Sequence, residues 1–162
     1  MIALALALCV SAVDGGAPVE PMTGTWELDQ KASSDMTAIF DLFEVGAIER
    51  RMAQTVTPTQ VVVLTPQKMD LTVKSAFRNG TRTWELDGQH PLEEDLMGHA
   101  MKITPRYVKG EVHATGLIVL KGAETPVVLR RYVDGGHMVQ EFRIAPAGKP
   151  EVVMKRVFNR KE

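Results

Sequence analysis

The sequence predicts a mainly β fold, a barrel of about ten antiparallel strands in up-and-down order, capped by a short helix-turn-helix. Apolar residues recur at helical spacing only between residues 36 and 55, and after Pro58 the spacing switches to that of strands. The strand-like runs are short and separated by turn chemistry. No low-complexity linker interrupts the pattern from Thr23 to Arg160, so a single domain over residues 22–162 is expected.

The first strand runs from Gly24 to Asp29. Ser33, Ser34 and Asp35 then supply N-cap candidates, and Met36, Ile39, Phe40 and Phe43 follow at helical spacing. Gly46 interrupts that helix, Ala47 to Thr55 continues it with Arg50 and Arg51 on a polar face, and Pro58 closes the region. Gln60 to Leu64 is a β-branched run. Met69, Leu71, Val73, Ser75 and Phe77 alternate with Asp70, Thr72, Lys74 and Ala76, which gives one largely apolar face and one wet face. Asn79-Gly80 predicts a tight hairpin turn after it. Further strands are expected over Thr81 to Leu86, Gly88 to Glu94, His99 to Thr104, Tyr107 to Leu120, Thr125 to Val133, Met138 to Ile144 and Val152 to Phe158. The separators are Asp87-Gly88, Lys109-Gly110, Lys121-Gly122, Asp134-Gly135-Gly136 and Ala147-Gly148-Lys149-Pro150. So many short strands joined by short turns form a meander, and closing it removes unpaired edges.

Composition narrows the function. A 162-residue chain with 44% hydrophobic residues can bury a sizeable interior or enclose a cavity. Nineteen basic and twenty acidic side chains are interspersed to a net charge of -1, which is too weak a field to attract nucleic acid. Cys9 is the only cysteine, so no intramolecular disulfide and no Cys-rich metal site can form. The four histidines, His90, His99, His113 and His137, are scattered without ligand spacing, and no metal site is expected. Ser11, Ser33, Ser34 and Ser75 sit in no nucleophile motif, and no Gly-rich phosphate loop occurs. Neither an enzyme nor a cofactor is expected.

Residues 1–21 read as a leader. Met1 to Val13 is almost wholly apolar but too short to span a bilayer as a helix, and Val10-Ser11-Ala12 offers small residues for signal cleavage. No basic residue precedes the apolar run, so an acylated Cys9 and a retained, disordered tail stay open as alternatives. A cleaved signal would make the protein secreted or periplasmic; otherwise it is expected in the cytoplasm.

One strand, a helix-turn-helix and a meander of hairpins resemble the fatty-acid-binding protein family, the intracellular lipid-binding branch of the calycin superfamily, related to the lipocalins. The likeness is carried by Gly24-Thr25-Trp26, Glu44-Val45-Gly46, Arg50-Arg51 and Pro58. It continues through Ser75 to Asn79, Gly88-Gln89, Leu129 to Tyr132, Gly136 to Val139 with Glu141 beyond, and Arg156-Val157-Phe158. These pieces span about 135 residues in the right order, so the series carries the specificity. Three departures stand out: Phe158 lies where the family usually has tyrosine, and both the first helical region and the hairpin Ala145 to Pro150 are longer than usual.

The resemblance implies a non-catalytic carrier of long-chain fatty acids or related lipophilic carboxylates. In its register Val127, Leu129 and Arg131 face inward, as do Met138, Gln140, Phe142 and Ile144, and Met154, Arg156 and Phe158. Two guanidinium groups then occupy an enclosed, partly apolar space. Unpaired buried charge costs several kcal/mol per ion, no inward acid is evident nearby, and a carboxylate suits the planar guanidinium fork. Arg131, Arg156 and Phe158 are therefore the expected head-group site. Phe77, Ser75, Val45, Ala53, Val56, Met97, Leu129, Gln140 and Phe142 are the expected cavity and portal. Trp26 is expected to close the barrel bottom. A monomer is expected, and Arg50, Arg51 and Lys31 near the helical lid leave transient contact with an anionic membrane open.

Other readings stay open at this point. Arg131 and Arg156 facing solvent would pair with Glu141 or Glu151. A calycin-type barrel can also bind haem, here through His99 or His113, or act as a small-molecule enzyme, and a barrel filled with side chains would work through its outer surface.

Overall fold

The computed structural model describes residues 21–76 and 78–162. The expected leader, apart from its last residue, lies outside them with Cys9, and so does the expected portal aromatic Phe77.

Strand β1 (Gly24–Asp29) leads into two short helices, α1 (Thr37–Leu42) and α2 (Ala47–Thr55). Nine strands follow: β2 (Thr59–Leu64), β3 (Lys68–Lys74), β4 (Asn79–Glu85), β5 (Leu92–Leu96), β6 (His99–Val108), β7 (Glu111–Leu120), β8 (Ala123–Asp134), β9 (His137–Ile144) and β10 (Val152–Lys161). They form one antiparallel ten-stranded sheet in the order β4-β3-β2-β1-β10-β9-β8-β7-β6-β5. Every neighbour in that order except β1 and β10 is also a neighbour in sequence, which is the expected meander wrapped into a nearly closed barrel.

Period-two alternation produces the inner surface. In β8, Thr125, Val127, Leu129 and Arg131 are buried while Glu124, Pro126, Val128 and Arg130 are exposed. At the floor Trp26 is fully buried, its indole N–H donates to the Met22 carbonyl at 2.8 Å, and the Arg160 guanidinium lies 4.2 Å from its ring centre. Met138 and Phe158, paired across β9 and β10, complete this apolar base.

The sheet ends at β4 and β5, and among the described residues no backbone ladder joins them. Side chains span the seam instead. Glu94 pairs with Arg82 through one carboxylate oxygen and accepts the Trp84 indole N–H at 3.1 Å through the other.

The helices cover the opposite end. Asp35 caps the first turn by accepting the Thr37 backbone N–H at 2.7 Å, one residue from where Met36 occupies the cap position. At the end of α1 the backbone turns through Glu44 at φ 54, and the Glu44 carboxylate meets the Lys121 ammonium at 2.7 Å across the barrel rim. Helix α2 buries none of its side chains. Arg50 holds it, donating to the Val45 carbonyl and to Asp41, both at 2.7 Å.

Several expected boundaries move. Asn79-Gly80 is not a turn: Asn79 already pairs with Lys74, and the Ser75 N–H donates to the Arg78 carbonyl at 3.0 Å and to Asn79 Oδ1 at 3.1 Å. The expected strand from Gly88 to Glu94 starts only at Leu92, because Asp87 accepts the N–H groups of Gln89 and His90 and curls that segment into a turn. Tyr107 and Val108 belong to β6, before the Lys109-Gly110 turn.

Gly116 carries a close approach that its sequence context does not advertise. An added Cβ would lie 1.9 Å from the Lys102 carbonyl oxygen and 2.8 Å from Ile103 Cα, both backbone atoms of the facing strand. Gly116→Ala must therefore push β6 away from β7, and is expected to cost about 1–3 kcal/mol in urea unfolding. A variant within about 0.5 kcal/mol of the parent would contradict this reading.

Candidate ligand-binding site

A cavity of about 570 Å³, partly open to solvent, lies inside the barrel beneath the helices. Its polar end is set by register. Gln140 in β9 pairs with Arg131 in β8 on one side and with Arg156 in β10 on the other, so the three side chains stand in a row across adjacent strands. One step toward the cap, Leu129, Phe142 and Met154 form an apolar row on the same strands. Leu71, Val73 and Met101 extend the apolar wall, and Met52, Ala53 and Val56 roof it from α2 and the residue after it.

Arg131 is 1% exposed. Its Nη1 donates to Gln60 Oε1 at 2.5 Å, and its Nε is buried with no hydrogen-bond partner. Burial, and then repulsion from Arg156, push its pKa down to about 10, so the group stays a cation at neutral pH. Burial also lowers the pKa of Arg156, and no carboxylate among the described residues stabilises its charge. Its guanidinium carbon lies 6.0 Å from the Phe158 ring centre. Two cations thus stand at one level of the cavity, with the Gln140 amide between them and the Gln60 amide bonded to Arg131.

Glu141 and Glu151 do not supply the missing charge. Both pair with Arg143 on the outer surface, at 2.7 and 3.0 Å, which removes the solvent-facing reading of Arg131 and Arg156.

No family model matches the sequence, and no curated protein matches it. Solved structures do. The Schistosoma mansoni fatty acid binding protein in complex with arachidonic acid superposes with a TM-score of 0.68 at 22% identity, over 90% of this chain and 99% of that one. The REP1-NXSQ fatty acid transporter gives a TM-score of 0.67 at 22% identity, over 86% of this chain and 96% of that one. The Echinococcus granulosus fatty-acid-binding protein 1 gives 0.66 at 18% identity, over 87% and 98%. The fold is that of the fatty-acid-binding proteins.

Within this fatty-acid-binding-protein fold, the structure brings most of the expected residues to one cavity. Arg131, Arg156, Leu129, Gln140, Phe142, Ser75, Ala53, Val56 and Met97 all line it. Two do not. Phe158 is fully buried in the floor beneath the arginine row, because it shares a cross-strand pair with Met138 and backs onto Leu28. Val45 packs against the core at the end of α1, where its carbonyl accepts from Arg50. His99 stacks on Phe43 at 4.9 Å and His113 meets Glu111 at 2.6 Å; neither lines the cavity, so neither offers an axial nitrogen to a ligand inside it.

Sequence reasoning missed Gln60 and the Arg82–Glu94 pair. Gln60 sits at the same parity as the buried Val62 in a β-branched run, and that parity was the signal available. Arg82 and Glu94 share the inward parity of Trp84 and of Leu92 and Leu96, but their meeting across the seam depends on barrel closure, which pattern alone does not locate.

Proposed function

We propose that the barrel binds a long-chain fatty acid or a related lipophilic carboxylate and carries it without chemical change. The observation that supports this most is the pair of inward guanidinium groups at the end of a largely apolar cavity, neither of them paired with a carboxylate among the described residues. A ligand carboxylate supplies the charge and the acceptor oxygens that Arg131 and Arg156 lack. An acyl tail along Leu129, Phe142, Met154 and Leu71 contributes roughly 0.8 kcal/mol per buried methylene, on the order of 10 kcal/mol for a long chain before ordering costs. A volume of 570 Å³ suits one such molecule. The arachidonic acid named for the Schistosoma structure is a ligand of this class. The exposed Ile48 and Met52 on α2, next to Arg51, support transient contact of the lid with a membrane surface during loading.

Delipidated protein is expected to take up a fluorescent fatty-acid probe and release it to hexadecanoate with submicromolar apparent affinity. Complete failure to take up the probe would leave the barrel without this role.

A further inference from the structure

The charges around the cavity do not balance. Its wall carries Arg78, Arg82, Arg131 and Arg156 against Glu94 and Asp95, a net of two positive charges. Arg82 and Glu94 satisfy each other at the seam, and Arg78 and Asp95 are exposed to solvent, so the desolvated and uncompensated charge belongs to the arginine row. Gln60 sharpens the imbalance. A guanidinium only donates, so the amide must turn its oxygen to Arg131, as it does at 2.5 Å, and its amino group is left as one more donor. The deep end therefore presents the Arg156 guanidinium and amide N–H groups beside the buried Arg131 cation, whose own Nε has no partner, and among the described residues no anion. A monocarboxylate offers one negative charge and two oxygens, which leaves one of the two desolvated cations uncompensated. A terminal phosphate monoester offers three oxygens and up to two charges.

We propose, resting on the lipid-binding reading above, that the Arg131, Arg156 and Gln60 cluster is a site for a doubly charged head group. The preferred occupant is a single-chain lipid phosphate monoester, held more tightly than the carboxylate of equal chain length. The tail occupies the same apolar wall, so discrimination comes from the head alone. No histidine lines the cavity, and a change of affinity across the second phosphate ionisation, near a pKa of about 6, then reads the ligand's own charge.

The test is displacement of a fluorescent fatty-acid probe from the delipidated full chain by dodecyl phosphate, dodecanoate and inorganic phosphate at about pH 8 and about pH 5.5, on either side of that ionisation. Dodecyl phosphate is expected to bind at least about tenfold more tightly than dodecanoate at the higher pH, with the advantage shrinking to under about threefold at the lower. Gln60→Glu is the decisive variant, since it keeps the side-chain shape and gives Arg131 an internal anion. It is expected to weaken dodecyl phosphate at least about tenfold and dodecanoate much less. Equal affinity of the two amphiphiles at both pH values overturns the dianion site while leaving the carboxylate carrier standing. Inorganic phosphate displacing the probe as well as dodecyl phosphate overturns the lipid part of the proposal. If neither amphiphile displaces the probe, the lipid-binding reading itself fails.

Discussion

Replacing Arg131 and Gln60 together by leucine is expected to stabilise the delipidated fold by about 1–4 kcal/mol while weakening fatty-acid binding about 30- to 100-fold. Arg131 is 1% exposed, donates from Nη1 to Gln60 Oε1 and weakly to the Met138 sulfur, and carries an Nε with no partner among the described residues. Its pKa, lowered to about 10, shows the charged form disfavoured by its surroundings. Exchanging such a group for a hydrophobe of similar volume is commonly neutral or stabilising, provided the partner changes too and no lone amide oxygen remains buried. The lost charge-assisted hydrogen bonds to a ligand head are worth about 2–3 kcal/mol, which gives the binding loss. Thermal unfolding and ligand titration of the same preparation separate the two effects. A double variant that melts lower than the parent would show the arginine to be a structural element.

Trp26→Ala is expected to cost about 3–5 kcal/mol in denaturant unfolding, the largest loss of stability from a single truncation in this fold. The ring is fully buried at the barrel floor, and its removal also strips the Met22 carbonyl of a 2.8 Å hydrogen bond. Arg160 would lose its stacking surface 4.2 Å away, and Arg160 is the side chain that holds the entering strand through the Thr23 and Pro21 carbonyls at 3.0 and 2.7 Å. Trp26→Phe keeps most of the packing, loses the N–H and is expected to cost less than half as much. An alanine variant less stable by under about 1 kcal/mol would remove Trp26 from the role of floor.

Much of this was legible because each strand states its own parity. The row Val127, Leu129, Arg131 and the row Met154, Arg156, Phe158 could be written from a period of two, whereas their inward direction came from the family resemblance. What parity does not state is height along the barrel. Phe158 shares the face of Arg156, but two residues further along β10 the cavity has ended and Trp26 and Met138 fill the space. Turn chemistry failed where a side chain competed for the backbone. Asn79-Gly80 predicts a turn, yet the Asn79 carboxamide accepts the Ser75 N–H from within β4, so the reversal falls before it. Gly116 was invisible because nothing around it signals a turn; its reason is the Lys102 carbonyl of a neighbouring strand.

The role proposed for Arg131 and Arg156 is to hold the anionic head of the ligand. It is tested most directly by the carboxyl carbon signal of carboxyl-13C hexadecanoate bound to the protein, followed as pH falls. Two adjacent cations favour the ionised form, so the bound carboxylate is predicted to keep its ionised chemical shift well below the midpoint of the same acid free in water, and to lose that protection in the Arg131→Leu and Arg156→Leu variants. A bound carboxyl group that titrates at or above that midpoint, unchanged by either substitution, would place the head group away from the arginines and contradict the account.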